Sequence, residues 1–417
     1  MKKLLLYLTV MFSLTLGACK SNVVEVANLD GFVFEDESIT PAFPGGGYPR
    51  FETLDTDTLL YFNNGRVYKS HDHAESWTYN SITENASFLA VSSTGKTHEL
   101  WLENWQGFVM DDGTVMVSYR ARTKEYKSGE FYTSIRVMTS NDGAETFKNE
   151  VIVAENTTNG FHGYWEPFMI QPDKNTLLLF YSDDLNVNSV GPQQNIVYHK
   201  YNIEDGTWSD AFVAIDGVKR NSRDGMPVIT KLTDGGYAMV IETQDYHNRF
   251  HNFTFGQSVF VISLSLSKDG ETWSQPVPVV APLDIRGKNR CAAPFVTTLA
   301  DGRIIISYMT EDGFLGNRVS DEVLNCVYGA VISSKPITTD TKIQSTKGGP
   351  AKGFAPLPDI FTEPFNGYMV WNTVYCDGQY VYFAGSAGAN DGAFDTSVRV
   401  RRANVSAISY PNSGGIK

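Results

Sequence analysis

The sequence predicts an all-β fold, a six-bladed β-propeller, on two observations. A unit of two short hydrophobic strands joined by a polar corner occurs six times, beginning at positions 49, 107, 167, 227, 294 and 372. No helical periodicity runs inside the units. Successive units are spaced somewhat further apart than one four-stranded blade requires, which is typical of propellers.

Each unit is predicted to be an antiparallel hairpin. It enters on one strand, turns at a corner that contains Asp or Asn, and returns on a second strand. Asp, Asn and Gly are favoured at such corners because they tolerate the backbone of tight turns. In chain order the units span 49–61, 107–119, 167–181, 227–241, 294–308 and 372–382, with corners at 57–58, 112–113, 174–175, 234–235, 301–302 and 377–378.

A second repeat runs out of phase with the first. Copies begin at Ser70, Ser140 and Ser267, and residues 204–208 are a fragment of a fourth. Each copy resembles the Asp-box, Ser-x-Asp-x-Gly-x-Thr-Trp, of sialidase-type propellers, and two copies have Ala where Gly is usual. We expect its Ser and Asp side chains to bond nearby backbone amides while the aromatic residue packs between sheets. The repeat therefore favours a sialidase-like six-bladed β-propeller. We expect it on the outer rim of the propeller, away from a catalytic site.

Length and charge limit the classes of protein. The repeat covers nearly all of the 417 residues after the start, so one propeller over residues 41–417 is the simplest organisation. The net charge is −13, and no Lys/Arg-rich run follows the N-terminus. Binding to nucleic acid or to an anionic membrane surface is therefore disfavoured. We expect a monomer.

Residues 1–19 are predicted to be a lipoprotein signal peptide. A charged start precedes the apolar stretch Leu4–Leu14, and the tetrapeptide that ends at Cys19 resembles the bacterial lipobox, in which the cysteine is lipidated. The alternative is a plain secretory signal with an incidental cysteine. Residues 20–40 are then a tether. This places the protein in the bacterial cell envelope, at the outer membrane, the cell surface or the periplasm, with no membrane contact except the anchor.

The remaining cysteines and histidines give no sign of a metal or redox site. Three cysteines remain besides Cys19, namely Cys291, Cys326 and Cys376. Because three cannot all pair in disulfides, at least one is a free thiol. The histidines lack the spacing of metal ligands. We expect neither a metal nor a cofactor.

The repeat also predicts where polar side chains gather. The start of the first strand and the end of the second lie at the same end of an antiparallel hairpin. Acids, arginines and tryptophans collect at that end, whereas the opposite end carries the corners. Sugars offer hydroxyls to charged groups and apolar faces to aromatic rings, so we expect an oligo- or polysaccharide substrate.

Two acids at this end are the catalytic candidates. Glu166 lies between a Trp and a Pro at the start of a strand, and Glu242 follows the apolar run 237–241. A carboxyl group beside apolar surface has a raised pKa, which suits a general acid. The two come from the third and fourth blades and can face one another, as the carboxylates that cleave a glycosidic bond do. Alternatively, Glu242 is a strand-end acid bonded to a neighbouring arginine such as Arg223.

Five short motifs lie around these two acids: Trp-Glu-Pro-Phe at 165–168, Phe-Tyr-Ser-Asp at 180–183, Arg-Asp-Gly-Met-Pro at 223–227, Met-Val-Ile-Glu at 239–242 and Ala-Pro-Phe-Val at 293–296. In sequence and in order they resemble glycoside hydrolase family 93, the exo-arabinanases, and the resemblance runs from about Tyr48 to Thr310. The resemblance implies a six-bladed, sialidase-related retaining enzyme that releases arabinobiose from α-1,5-linked arabinan. It also implies that Glu166 and Glu242 are the catalytic pair.

Around this pair we expect tryptophans to stack on sugar faces and charged side chains to bond hydroxyls or orient the acids. The apolar run before Glu242 favours that residue as the protonated partner. Asp184 stands where the family usually has Glu, and the segment 313–358 departs from the family pattern. The predicted substrate-binding residues are Arg50, Trp165, Asp183, Arg223, Asp224, Trp371 and Asn372.

Two other functions fit the sequence less well. An exo-α-sialidase grips a substrate carboxylate with three arginines and attacks with a tyrosine, for which Tyr375 could be offered. Its usual Arg-Ile-Pro motif is replaced here by Tyr48-Pro49-Arg50-Phe51. A surface lipoprotein that captures glycans without cutting them is the other alternative, since fold does not fix function. Such a binder has no need of two facing acids.

Overall fold

Each repeat unit forms the two innermost strands of one antiparallel sheet in the computed structural model. The structure describes residues 27–40, 42–45, 47–124, 129–160, 162–185, 187–188, 191–245, 260–283, 290–312, 326–361, 367–389 and 397–408. The hairpins predicted from the sequence therefore lie where the repeat places them.

The described elements are almost all strands. Short helices occur at Glu37–Ile39, Thr83–Asn85 and Gly217–Arg220. In chain order the strands are β1 Val33–Phe34, β2 Phe43–Pro44, β3 Arg50–Asp55, β4 Thr58–Asn63, β5 Arg66–Ser70, β6 Thr78–Ser81, β7 Leu89–Val91, β8 Thr97–Val109, β9 Val115–Thr123, β10 Glu130–Ser140, β11 Lys148–Asn159, β12 Tyr164–Asp173, β13 Thr176–Asp183, β14 Val187–Asn188, β15 Gly191–Pro192, β16 Asn195–Asn202, β17 Thr207–Trp208, β18 Phe212–Ile215, β19 Ser222–Lys231, β20 Tyr237–Asp245, β21 Phe260–Ser267, β22 Val277–Ala281, β23 Cys291–Thr298, β24 Ile304–Thr310, β25 Val327–Ser333, β26 Gly349–Pro350, β27 Phe354–Pro356, β28 Gly367–Cys376, β29 Tyr380–Ala389 and β30 Ser397–Asn404.

The sheets form a closed ring of six blades. In blades 1 to 6, numbered in chain order, the innermost strands are β3, β8, β12, β19, β23 and β28. Each contacts the next, with β28 returning to β3. The second strands, such as β9 and β20, are buried along nearly their whole length because neighbouring blades cover both faces. The predicted six-bladed propeller is confirmed. One end of the ring carries the Asp- and Asn-containing corners, here called the corner end; the other is the cavity end.

A β-bulge recurs in five of the six innermost strands. In each, two residues oppose a single residue of the second strand, and the first of the two has a left-handed backbone. The second is often Pro, which is tolerated because the bulge breaks the ladder there. These left-handed residues are Asn104, Glu166, Met226, Ala293 and Trp371, with φ between 41° and 57°. The bulges turn side chains at the cavity end towards the axis.

The last blade is completed by the start of the chain. Strands β1 and β2 both pair with β30, so the first strands close the ring onto the last blade. Phe32 and Phe34 pack against the core, and Arg402 bonds Glu35 at 2.6 Å. The predicted tether is therefore wrong for residues 27–40, which belong to the propeller because the side chains of Ala27, Leu29, Phe32 and Phe34 are partly buried against its core. The predicted signal peptide and Cys19 lie outside the described residues.

The segments that resemble the Asp-box form the predicted turns at the corner end. The Ser70 hydroxyl accepts the amide of Ala74 at 2.8 Å, and Ser140 accepts the amide of Ala144 at 3.0 Å. Both alanines are left-handed, with φ of 75° and 65°, which explains why Gly is usual at this position. These turns lie away from the cavity.

No helix among the described residues is long and apolar enough to cross a membrane. The three cysteines within the described ranges are free thiols: Cys291 and Cys326 are buried and Cys376 is half-buried.

Candidate active site

A cavity of about 600 Å³ opens at the cavity end of the propeller. This volume is in the usual range of small-molecule sites. Blade 2 supplies the largest share of its described lining through β8 and β9. The described lining residues are Gly47, Tyr48, Asn64, Leu102, Glu103, Asn104, Trp105, Arg120, Arg122, Trp165, Glu166, Arg223, Met226, Glu242, Phe260, Arg290, Ala292, Met309 and Trp371.

Glu166 enters this cavity from the bulge of β12. Its backbone is left-handed, with φ 41°, which is unusual for a residue other than Gly. This conformation fixes the carboxyl group at the cavity end of β12. Burial raises its pKa to about 7, Arg120 and Arg223 oppose that increase, and Glu242 adds to it. Glu166 is therefore suited to exchange a proton near neutral pH.

Glu242 lies in the same cavity but in a different environment. It is 7% exposed, accepts a hydrogen bond from Arg223 Nη1 at 2.9 Å, and accepts another from the backbone amide of Ala293 at 3.0 Å. Both donors stabilise the ionised carboxylate. The bond to Arg223 expected for a plain strand-end acid is thus present, yet the carboxylate also lines the cavity. The geometry favours Glu166, not Glu242, as the protonated partner.

Trp165 is held in place beside Glu166. The guanidinium carbon of Arg120 lies 4.0 Å from its ring centroid. The chain just before it is tied to Asp184, which accepts the backbone amide of Gly163. A ring covered on one face by a cation offers a rigid apolar surface to a sugar.

A second aromatic surface lies across the cavity. Trp371 stacks on Tyr48 with ring centroids 4.6 Å apart and planes inclined by 20°. The side chain of Arg50 is 6% exposed and lies between Tyr48 and Phe295. Its guanidinium carbon is 5.1 Å from the ring centroid of Tyr48 and 4.9 Å from that of Phe295. Arg50 is not among the described lining residues; it places a positive charge behind Tyr48.

Two predicted substrate-binding residues are bonded within the protein. Asp224 is fully buried, and its carboxylate accepts bonds from Arg220 Nη1 at 2.5 Å and from the Ser222 hydroxyl at 2.9 Å. Asn372 is 1% exposed and donates to the carbonyl oxygen of Tyr308 at 2.7 Å, joining blade 6 to blade 5. Their placement favours a supporting role.

Of the nine residues proposed from the sequence, the structure brings five together in the cavity lining: Trp165, Glu166, Arg223, Glu242 and Trp371. The other four are not among the described lining residues. Of these, Asp183 is half-buried and accepts the backbone amide of Leu185 at 2.9 Å. A role in substrate binding stays a prediction for all seven of the residues to which it was assigned.

Glu103 is a cavity acid that the sequence did not single out. Its Oε1 accepts Arg122 Nη2 at 2.7 Å, its Oε2 accepts Arg122 Nε at 2.9 Å, and Arg120 also bonds it. The available signal was alternation, because Glu103 is two residues from Trp101 and so shares its face of β8. Within the described ranges, no group of three or more His, Cys, Asp or Glu side chains is arranged to hold a metal ion.

Comparisons with known proteins support the fold. No family model and no curated protein matches the chain. The α-L-arabinanase of Penicillium chrysogenum complexed with arabinobiose is 15% identical, with a TM-score of 0.58 over 90% of this chain and 98% of that chain. The family 93 α-L-arabinofuranosidase of Fusarium graminearum with arabinobiose is 15% identical, with a TM-score of 0.61 over 91% and 99%. A protein of unknown function from Dyadobacter fermentans is 12% identical, with a TM-score of 0.53 over 89% and 97%.

At these identities the likeness is one of fold. It extends over almost the whole described propeller and confirms, at that level, the resemblance to family 93 that the sequence motifs indicated.

Proposed function

We propose that this protein is a retaining glycoside hydrolase that acts on the chain ends of an arabinan-type polysaccharide, linked by α-1,5-L-arabinofuranosyl bonds. The observation that carries the proposal is the difference between the two cavity carboxyl groups. Burial raises the pKa of Glu166 to about 7, whereas Glu242 accepts two hydrogen bonds that favour its charge. A retaining enzyme requires one protonated and one ionised carboxyl group.

The reaction divides into two steps. Glu166 gives its proton to the glycosidic oxygen while Glu242 attacks the anomeric carbon, so the bond to the leaving sugar breaks as the bond to Glu242 forms. Glu166, now ionised, then takes a proton from water, and the oxygen of that water displaces Glu242. Arg223 orients Glu242 for the first step through its hydrogen bond. Trp165 and Trp371 support the proposal because both line the cavity and offer ring faces to a sugar.

The choice of an arabinan-type sugar is supported by the sequence motifs and by the two arabinobiose-bound proteins of similar fold. The arrangement of arginines is less suited to a sialidase. Arg120 and Arg122 bond Glu103, and Arg223 bonds Glu242, so each neutralises a carboxylate of the protein. Tyr375, the other possible nucleophile, is bonded to Thr53 at 2.8 Å and is not among the described lining residues.

The experiment is sugar release by the purified protein from debranched arabinan and, separately, from sialyl-lactose. We expect arabinobiose from the first substrate and nothing from the second. Glu166→Gln and Glu242→Gln should each lower kcat by about 10²- to 10⁴-fold, the usual contribution of a positioned acid or base. The variants should still bind arabino-oligosaccharides. Free sialic acid, or binding without turnover by the wild type, would overturn the proposal.

We also propose that the chain is secreted and anchored by a lipid on Cys19. The support is the lipobox-like sequence and the apolar stretch before it. In a bacterial host, Cys19→Ala should release the protein from the membrane fraction, whereas wild type should stay there and incorporate labelled palmitate. Equal partition of the two proteins would contradict the anchor.

A further inference from the structure

A row of three charged side chains and one aromatic side chain leads from the catalytic cavity to the protein surface along blade 2. In the antiparallel pairing of β8 with β9, Glu103 opposes Arg120 and Trp101 opposes Arg122. Residues two apart on a strand share a face, so all four side chains lie on the face of the sheet whose inner part lines the cavity. We call these four residues the blade-2 row.

The inner end of the row reaches the catalytic acid. Arg120 stacks on Trp165, the residue before Glu166, and is 5% exposed. One of its terminal nitrogens bonds Glu103, but its Nε and Nη1 have no hydrogen-bond partner. Buried donors are almost always paired, so two unpaired N–H groups on a cavity wall indicate that a ligand supplies the acceptors.

The outer end of the row presents an aromatic surface to solvent. Trp101 is 45% exposed, and the guanidinium carbon of Arg122 lies 4.6 Å from its ring centroid. Arg122 is itself fixed by two bonds to Glu103. A large aromatic ring backed by a fixed cation keeps its orientation while exposed, which is the requirement for stacking on a sugar ring.

A polysaccharide is longer than a cavity of about 600 Å³ can hold, so part of the chain must leave it. Trp101 lies roughly 7 Å along the strand from Glu103, since each residue of a strand advances about 3.4 Å. We propose that the blade-2 row is a distal glycan subsite, in which Trp101 stacks on a sugar unit outside the cavity and the unpaired N–H groups of Arg120 bond hydroxyls nearer the cleaved bond. This rests on the proposed function and makes the enzyme selective for longer chains.

The test compares a long and a short substrate, an arabinohexaose and an aryl arabinobioside. Trp101→Ala should lower the ratio of kcat/KM for the long over the short substrate by about 3- to 10-fold, the size of a single aromatic stacking contact. The loss should lie in KM for the hexaose. Trp101→Phe, which keeps a ring, should restore most of the ratio.

The matched control is Phe212→Ala. Phe212 is also an exposed strand aromatic, 43% exposed and with Lys200 over its ring at 5.2 Å, but it lies on an outer strand of blade 3 away from the cavity. It should leave both rates unchanged. An unchanged ratio in Trp101→Ala overturns the subsite, and so does an equal loss on both substrates. If wild type cleaves neither substrate, the proposed function itself fails and the subsite falls with it.

Discussion

At the scale of single residues, Glu166 joins two uncommon properties: a left-handed backbone and a carboxyl group whose pKa is raised to about 7 by burial. If Glu166 is the general acid, it must be protonated in the free enzyme. The plot of kcat/KM against pH should therefore fall as pH rises through about 7. A descending limb at or below pH 5 would assign the acid to another group.

A substitution at Arg120 tests whether the descending limb of the pH profile belongs to Glu166. Its charge lowers the pKa of Glu166, so Arg120→Gln should move the descending limb to higher pH. A variant that lowers the rate without moving the limb would mean that Arg120 acts on the substrate alone.

Glu52 shows the same effect of burial in a place unrelated to catalysis. Burial raises its pKa to about 8, and the Tyr375 hydroxyl lies 3.4 Å from it. Between about pH 5 and 8 the folded protein keeps a proton that the unfolded chain has lost, so stability falls as pH rises through this window. Glu52→Gln should raise the free energy of unfolding at pH 8 by at least about 1 kcal/mol. Denaturant unfolding of wild type and variant at pH 5 and at pH 8 checks this. A gain in the free energy of unfolding of equal size at pH 5 would contradict it.

At the scale of elements, the recurrent bulge decides which side chains reach the cavity. Asn104 occupies the left-handed position of β8, φ 57°. Asn104→Ala and Asn104→Gly both remove its side chain, but only Gly adopts this backbone without steric cost. The Gly variant should be more stable than the Ala variant by about 1 kcal/mol, measured by denaturant unfolding. Equal stabilities would argue against the bulge.

The bulge also explains what could be predicted from the sequence. The hairpins could be predicted because turn residues and the alternation of side chains along a strand are local features of the sequence. The gathering of polar side chains at the cavity end could be predicted because strand starts and strand ends meet there in an antiparallel hairpin. Within a strand, however, the two-versus-one pairing shifts the alternation by one residue, so the facing of Trp165 and Glu166 could not be read from period two. The hydrogen bonds to Glu242 could not be predicted either, because one of its donors is the backbone amide of Ala293 in the next blade.

At the scale of the whole molecule, the ring depends on the pairing of β1 and β2 with β30. Phe34 stacks on Phe383 at 6.0 Å and packs against the core, whereas its neighbour Val33 is 63% exposed. Phe34→Ala should lower the free energy of unfolding by about 1–2 kcal/mol, the value of a partly buried Phe side chain. Val33→Ala, the control in the same strand, should have little effect. Comparable losses from the two would mean that the strand does not close the ring.

That closing strand also orients the site relative to a membrane. The backbone of Asn28 accepts a bond from Arg303 at 2.7 Å, directly after the corner at 301–302, so the described chain begins at the corner end. Between Cys19 and residue 28 an extended chain spans no more than about 30 Å. With the proposed lipid on Cys19, the corners face the bilayer and the mouth of the cavity faces away from it. A long polymer can then enter the cavity without passing between the protein and the lipid surface.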